Sequence, residues 1–367
     1  MAENKRQHFI PQFYLRYFSL NKEDKQVCIY NLDREKYFEG NIKTICSKDY
    51  FYDKDGQLEK TLSLMEGAVS KTIGKIIESE TIKFEGAEEF SRFLSFVCMQ
   101  YGRTKLQGEI NTQIANKIFD YYKPRISKEK GIDMETLKAM KMKHPHPVLH
   151  SLLYSLLSGV IISDMNMVLL KNNTSIEFIT SDSPVIRFNP FFNKLKQNKQ
   201  TGGFAQRGLI LYFPLTPRFA IMFFDNSYYL LKKLKNTLIN INDKNEIRRL
   251  NGLQIIFCHE NIYFANKNMV KDLELQIKQL KQKRIERGNT IKFEEIKAEV
   301  DGKLKEIVRF GSGYFQYNLD KLGFLKMKKD AIKEVGERNP ERIRLFEKAT
   351  DEINKEIKEK RKQMGLD

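Results

Sequence analysis

The chain has 367 residues, 41% of them hydrophobic and 11% aromatic, with a formal net charge of +17 and a pI near 9.4. Those figures exclude a disordered or collagen-like chain and leave room for one elaborate domain or two. The charge points to a polyanionic partner, whether nucleic acid (RNA or DNA), a nucleotide or an anionic surface, or else to lysines spread over a solvated surface.

The positive charge is not one tail. Residues 267–367 hold 26 Lys+Arg against 19 Asp+Glu, a net of +7, which leaves +10 for the first 266. Cys28, Cys46, Cys98 and Cys258 lack Cys-x-x-Cys spacing, so no zinc ribbon or redox motif follows. The opening Met-Ala-Glu-Asn-Lys-Arg is not an apolar leader, and a reducing cytoplasmic setting is expected.

In chain order, residues 7–18 form an aromatic and apolar run around His8 and Pro11, too apolar for a loose tail. Gln26–Tyr30 and Lys36–Ile42 flank a polar turn and predict a β-hairpin. Leu58, Leu62, Met65, Val69, Ile73 and Ile76 recur at helical steps, so an amphipathic helix is expected there. A second helix is predicted from Ala87 to about Leu106. A third should run from Ile110 to Tyr122 and stop before Pro124. Val148–Leu170 approaches the length of a membrane span, but His150, four serines, Asp164 and Asn166 make it a buried core helix.

The middle of the chain changes character. Ser175–Thr180, Val185–Phe188, Gly208–Leu215 and Arg218–Phe224 are short β-rich runs, the last two joined as a hairpin at Pro214–Pro217. Asn193–Gly203 is a polar surface loop. A helix capped at Asn242-Asp243 should run to about Cys258, followed by a strand at Ile262–Phe264. From Lys267 charged helices dominate, with seams at Val270, Leu273, Ile277, Leu280 and at Ile343, Phe346, Ile353, Ile357. Two or three heptads are too few for an independent coiled coil, so these helices pack on each other, on the body or on a second copy. The expected architecture is α+β: short antiparallel strands packed against several helices over 1–266, with a charged helical appendage over 267–367. Gly311-Ser312-Gly313 is read as a turn between helices.

His8, Pro11, Gln12, Tyr14, Leu15 and Phe18 form a His-x-x-Pro-Gln-x-Tyr-Leu-x-x-Phe pattern. Downstream come an acidic helix with Glu59 and Glu66, a Gln-x-x-Arg-Thr step at Gln100, Arg103 and Thr104, and Thr180-Ser181-Asp182-Ser183-Pro184-Val185. In that order these stretches resemble a bacterial family known as domain of unknown function 4238, over roughly residues 7–266. Ser183 and Lys105 depart from residues frequent in that family, and neither is a candidate acid or base. The resemblance implies no activity, so chemistry is argued from the residues.

His8 is a candidate acid/base, since imidazole titrates near neutrality; it can equally be a satisfied structural histidine. Glu59 and Glu66, two helical turns apart, share a face. With Asp182 they are candidate ligands for a divalent cation, magnesium or manganese, or else solvated acids. Arg103, with Gln100 one turn away, is a candidate phosphate clamp or half of an internal ion pair. Gln12, Gln100 and Arg103 are candidate substrate contacts, and Asp182 is a further candidate catalytic acid or a turn residue. His144 and His146 flank a proline at a spacing compatible with metal, and His259 at a helix end reads as structural. No nucleophile elbow, phosphate-binding loop or dinucleotide fingerprint is present.

Two functional readings follow. One is a cytoplasmic phosphodiesterase or nuclease of the kind used in bacterial defence or as a toxin effector. His8, Arg103 and Asp182 would be its catalytic groups, with a metal on Glu59, Glu66 and Asp182. The other is a non-enzymatic module binding nucleic acid or protein, or a second copy through the C-terminal helices.

Overall fold

The computed structural model describes residues 5–53, 56–142, 147–191, 203–232, 234–288, 291–300, 303–312, 317–319, 321–329, 331 and 336–363. The architecture is α+β, as expected. The N-terminal part runs β1 (Arg6–His8), α1 (Gln12–Arg16), β2 (Gln26–Asn31), β3 (Lys36–Asn41), β4 (Ser47–Asp49), α2 (Gln57–Ser79), α3 (Ala87–Gly102), α4 (Lys105–Lys130), α5 (Met134–Ala139), α6 (Pro147–Leu157) and α7 (Gly159–Ile162). The middle adds β5 (Asn166–Asn172), β6 (Thr180–Ser181), β7 (Ile186–Phe188), β8 (Ile210–Pro214), β9 (Phe219–Phe224), β10 (Tyr229–Leu231), β11 (Leu238–Ile241), α8 (Lys244–Phe257) and β12 (Asn261–Phe264). The C-terminal part contributes α9 (Val270–Gly288), β13 (Ile291–Val300), β14 (Lys303–Ser312), β15 (Leu325–Met327) and α10 (Pro340–Gln363).

Five strands in the order β11-β5-β9-β8-β7 form the central sheet, antiparallel except where β11 pairs parallel to β5. Its strands are apolar on both faces, and period-two alternation divides them between two cores. Leu169, Leu211, Phe213, Ile221 and Phe223 join the core built with α2, α3 and the N-terminal run. Val168, Leu170, Ile210, Tyr212 and Met222 join the core built with α8 and α9. Phe93 of α3 stacks on Phe223 at 6.4 Å between ring centroids. Each fully buried side chain of this size contributes roughly 1.5–3 kcal/mol of hydrophobic stabilisation.

A second sheet, β3-β2-β12-β6, carries the expected hairpin, with Gln26 opposite Asn41. The Tyr14 hydroxyl joins the two sheets. It donates to the Pro214 carbonyl on β8 at 2.7 Å and lies 2.6 Å from Thr180 Oγ1 on β6. The N-terminal run is thereby fixed in the fold.

Several elements differ from expectation. The helix expected over 87–106 is cut at Arg103. Thr104 caps the next helix, its hydroxyl accepting the Gln107 amide at 3.4 Å. That helix, α4, runs through Pro124. Asp120 and Pro124 are both exposed, so water can reach the carbonyl that a proline leaves without an amide donor. The apolar stretch 148–170 is not one helix. Helix ends at Ile162, and from Asn166 the chain becomes β5, because a short apolar run fits a two-sided strand as well as a buried helix. Gly311 and Ser312 lie in β14, opposite Lys292 and Ile291, and not in a turn; Gly313 is outside the described residues.

Between the charged helices α9 and α10 the chain forms the β13–β14 hairpin. Much of this C-terminal part completes the body. Leu273, Leu322 and Phe324 are buried in the second core, β15 pairs with β10, and Phe346 of α10 packs on the first core. Arg338 clamps Asp164 at 3.1 Å and donates to the Gln206 carbonyl at 2.8 Å. Among the described residues no helix is long and apolar enough to cross a membrane. The four cysteines are free and buried.

Candidate functional site

The site is built around the start of α2. Gln7 is fully buried: its Nε2 donates to the Asp53 carbonyl at 2.8 Å and its Oε1 accepts the Tyr52 amide at 2.6 Å. Asp53 in turn accepts the Leu58 amide at 2.7 Å, capping α2, while Gly56 makes the left-handed turn at φ 72°. Strand β1 pairs with β4, placing His8 opposite Ser47. These contacts bring His8 beside Glu59, one turn into α2.

The His8 amide donates to Glu59 Oε1 at 3.3 Å, and the Tyr52 hydroxyl donates to the His8 carbonyl at 3.1 Å. The imidazole is half-buried. Its Nε2 lies 3.3 Å from the Lys43 carbonyl and 3.5 Å from Gln12 Nε2. Burial lowers its pKa, opposed by the Lys43 carbonyl and reinforced by the positive charges of Arg6 and Arg103. Burial pushes the Glu59 carboxyl up to about 7; the His8 amide and Arg103 act against that, and Glu66 and Asp53 add to it. Glu59 Oε2 is buried and, among the described residues, has no hydrogen-bond partner.

Behind this pair lies a closed polar knot. Arg103 is fully buried and donates to Glu66 Oε1 at 2.6 Å and to Gln100 Oε1 at 2.8 Å. Gln100, also fully buried, donates from Nε2 to the Phe9 carbonyl at 3.0 Å. Of the two roles open to Arg103, the geometry is that of the internal ion pair, and Gln100 holds the backbone beside His8 rather than facing solvent.

Asp182 is directed elsewhere. Its Oδ1 accepts the His259 amide at 2.7 Å, and its Oδ2 accepts the Glu260 and Asn261 amides at 2.7 and 2.8 Å. It ties β6 to the turn between α8 and β12. Burial nonetheless raises its pKa, against those three amides. His259 pairs through Nε2 with Glu109 of α4 at 2.7 Å, and its carbonyl accepts from Arg284. The fold thus brings together His8, Gln12, Glu59, Glu66, Gln100 and Arg103, with Asp182 at a separate turn. Tyr52, Asp53 and Lys43 complete the site without any sequence signal of their own, since Lys43 and Tyr52 meet His8 across 35 and 44 residues and Asp53 meets Gln7 across 46.

Among the described residues no group of three or more His, Cys, Asp and Glu side chains is placed to hold a metal ion. Asp182 has both oxygens on backbone amides and Glu66 is engaged by Arg103, so the three carboxylates do not converge as a cation cradle. His144 and His146 lie outside the described residues.

A family model described as "Protein of unknown function (DUF4238)" matches residues 6–268, one residue before and two after the span of the motif resemblance. No curated protein and no solved structure matches the chain.

Proposed function

The chain belongs to the DUF4238 family, and from that premise we propose that His8 and Glu59 form the acid–base centre of a cytoplasmic enzyme that cleaves phosphodiester bonds in nucleic acid. The observation that carries this reading is the buried Oε2 of Glu59, which has no hydrogen-bond partner among the described residues, on a carboxylate whose other oxygen accepts the backbone amide of the half-buried His8. Buried polar atoms are nearly always satisfied, and an orphan next to a titratable pair marks a place for a ligand or a proton in transit.

The directions of the two pKa shifts support one division of roles. His8, held below its ordinary pKa of 6.5, is mostly neutral at pH 7 and takes the proton of the attacking nucleophile, the 2′-hydroxyl in RNA or a water in DNA. Glu59, titrating near 7, retains a proton to give to the leaving oxygen. Positive charge for the phosphate comes from the +17 surface; near the site Lys105 lies 5.3 Å from the Phe9 ring.

The test is cleavage of labelled RNA and DNA by the purified chain, with magnesium or manganese added and, separately, with chelator. The expected rate rises as His8 loses its proton, below pH 6.5, and falls as Glu59 ionises above about 7. His8→Ala and Glu59→Gln should each abolish it. No cleavage of either polymer, or activity that survives Glu59→Gln, overturns the proposal.

A second reading, a nucleic-acid or protein-binding module, is favoured by the saturation of Gln7, Gln100, Arg103 and Asp182 inside the fold. For nucleic acid it predicts tight binding that drops about a thousandfold or more between roughly 50 and 200 mM salt, with no product, in wild type and Glu59→Gln alike.

A further inference from the structure

We propose that the outer half of α4 is a docking groove for the apolar face of an acidic amphipathic helix carried by a partner protein. Ala115, Phe119, Tyr122 and Ile126 recur at helical steps, with Ile118 beside them, and line a groove closed on its far side by Met142. None of these side chains belongs to either hydrophobic core. Tyr122 is 39% exposed, Met140 45% and Met142 47%. A contiguous patch of aromatic, branched and methionine side chains set apart from the core is the composition of a protein-binding surface.

The groove is preformed. Asn116 grips the backbone of Met142 from both sides, accepting its amide at 2.9 Å and donating to its carbonyl at 3.3 Å. The buried Lys123 ammonium donates to the Met140 carbonyl at 3.1 Å. The segment carrying the methionines is thus held against α4, leaving their side chains beside the groove. Residues 115–126 span about 16 Å, room for three turns of a docked helix.

Charge selects the occupant. Along α4 and α5, Asp120 is paired with Lys123, Glu129 with Arg125 and Glu135 with Lys138, while Asp133 is used as the cap of α5. Lys128, Lys130 and Lys141 are exposed and carry no ion pair among the described residues. Three lysines against the one capping acid leave the exposed segment that carries the groove net positive, so the complementary helix is acidic on its polar face.

The experiment titrates the full chain against fluorescent synthetic helices of about 18 residues, roughly five turns. One has a leucine face and a glutamate face, one replaces glutamate by lysine, and one scrambles the glutamate sequence. The glutamate helix should bind saturably, roughly tenfold or more tighter than the other two. Tyr122→Ser with Met142→Ser should weaken it by about tenfold, with the melting temperature unchanged because both side chains are exposed. Lys128→Glu with Lys141→Glu should invert the preference toward the lysine helix. Equal binding of all three peptides, or no effect of the serine pair, overturns the proposal. So does a dimer in light scattering that the serine pair dissolves, which would make a second copy the occupant. Binding to phosphatidylserine-containing vesicles that the serine pair abolishes would make it a membrane.

Discussion

Two polar clusters share the N-terminal motif and are built on opposite terms. The knot of Gln7, Gln100, Arg103 and Glu66 is closed, each member hydrogen-bonded to another or to backbone and Arg103 fully buried. Next to it, His8 and Glu59 are half-buried, the His8 pKa lowered and the Glu59 pKa raised to about 7 by burial, and one Glu59 oxygen has no partner among the described residues. The contrast separates residues used to hold the chain from residues with capacity to spare. It also gives the two clusters opposite mutational signatures, since removing a structural partner destabilises whereas relieving a strained functional group does not.

The largest effect is expected at Arg103. Arg103→Ala strands Gln100 Oε1 and Glu66 and should cost about 3–5 kcal/mol in urea unfolding; a loss below about 1 kcal/mol would show that the knot is not what holds the motif. Asp182→Ala leaves the His259, Glu260 and Asn261 amides without their acceptor and should cost about 3 kcal/mol, without a specific effect on any His8-dependent activity. A selective loss of activity at unchanged stability would move Asp182 into the functional cluster.

Glu59 should behave in the opposite sense. An unfolded glutamate releases its proton near 4.5, whereas folded Glu59 retains it to about 7. The folded state therefore binds more protons in that window, and wild-type stability falls as pH rises through it. Glu59→Gln should remove this slope and leave the protein more stable than wild type above pH 7, by about 1–2 kcal/mol after solvent screening of a half-exposed group. A destabilised Glu59→Gln would make the residue part of the knot.

The smallest effect sharpens the meaning of an orphan atom. The Tyr212 hydroxyl is fully buried between strands and has no partner among the described residues. With no neighbouring titratable pair to serve, it should be dispensable. Tyr212→Phe should change stability by less than about 1 kcal/mol, in the stabilising direction, in thermal unfolding. A clear loss would mean that a bound water completes that hydroxyl.

Much of the local structure is legible in the residues. The hairpin at 26–41, the α2 stripe, the capped helix α8 and the strand at 261–264 follow from period, turn chemistry and an Asp at the cap. The helix–strand transition inside 148–170 was not legible, because an apolar run buried on all sides has no period to report. Nor was the parallel β11–β5 pair, which joins residues about seventy apart by backbone bonds that leave no mark on side-chain order.

For the candidate site, residue types and order single out His8, Glu59, Glu66, Gln100, Arg103 and Asp182, and by themselves leave open whether each is functional or structural. Helical spacing already put Gln100 beside Arg103 and Glu66 on the Glu59 face, since these are contacts within one or two turns. Which of them face inward was decided by contacts the spacing does not contain: Arg103 with Glu66 across 37 residues, Gln100 with the Phe9 carbonyl across 91, and Asp182 with the turn after α8 across 77 to 79. Whether a charged side chain is satisfied or left poised depends on its desolvation and on partners brought in from elsewhere in the chain, and both exist only once the layers have packed.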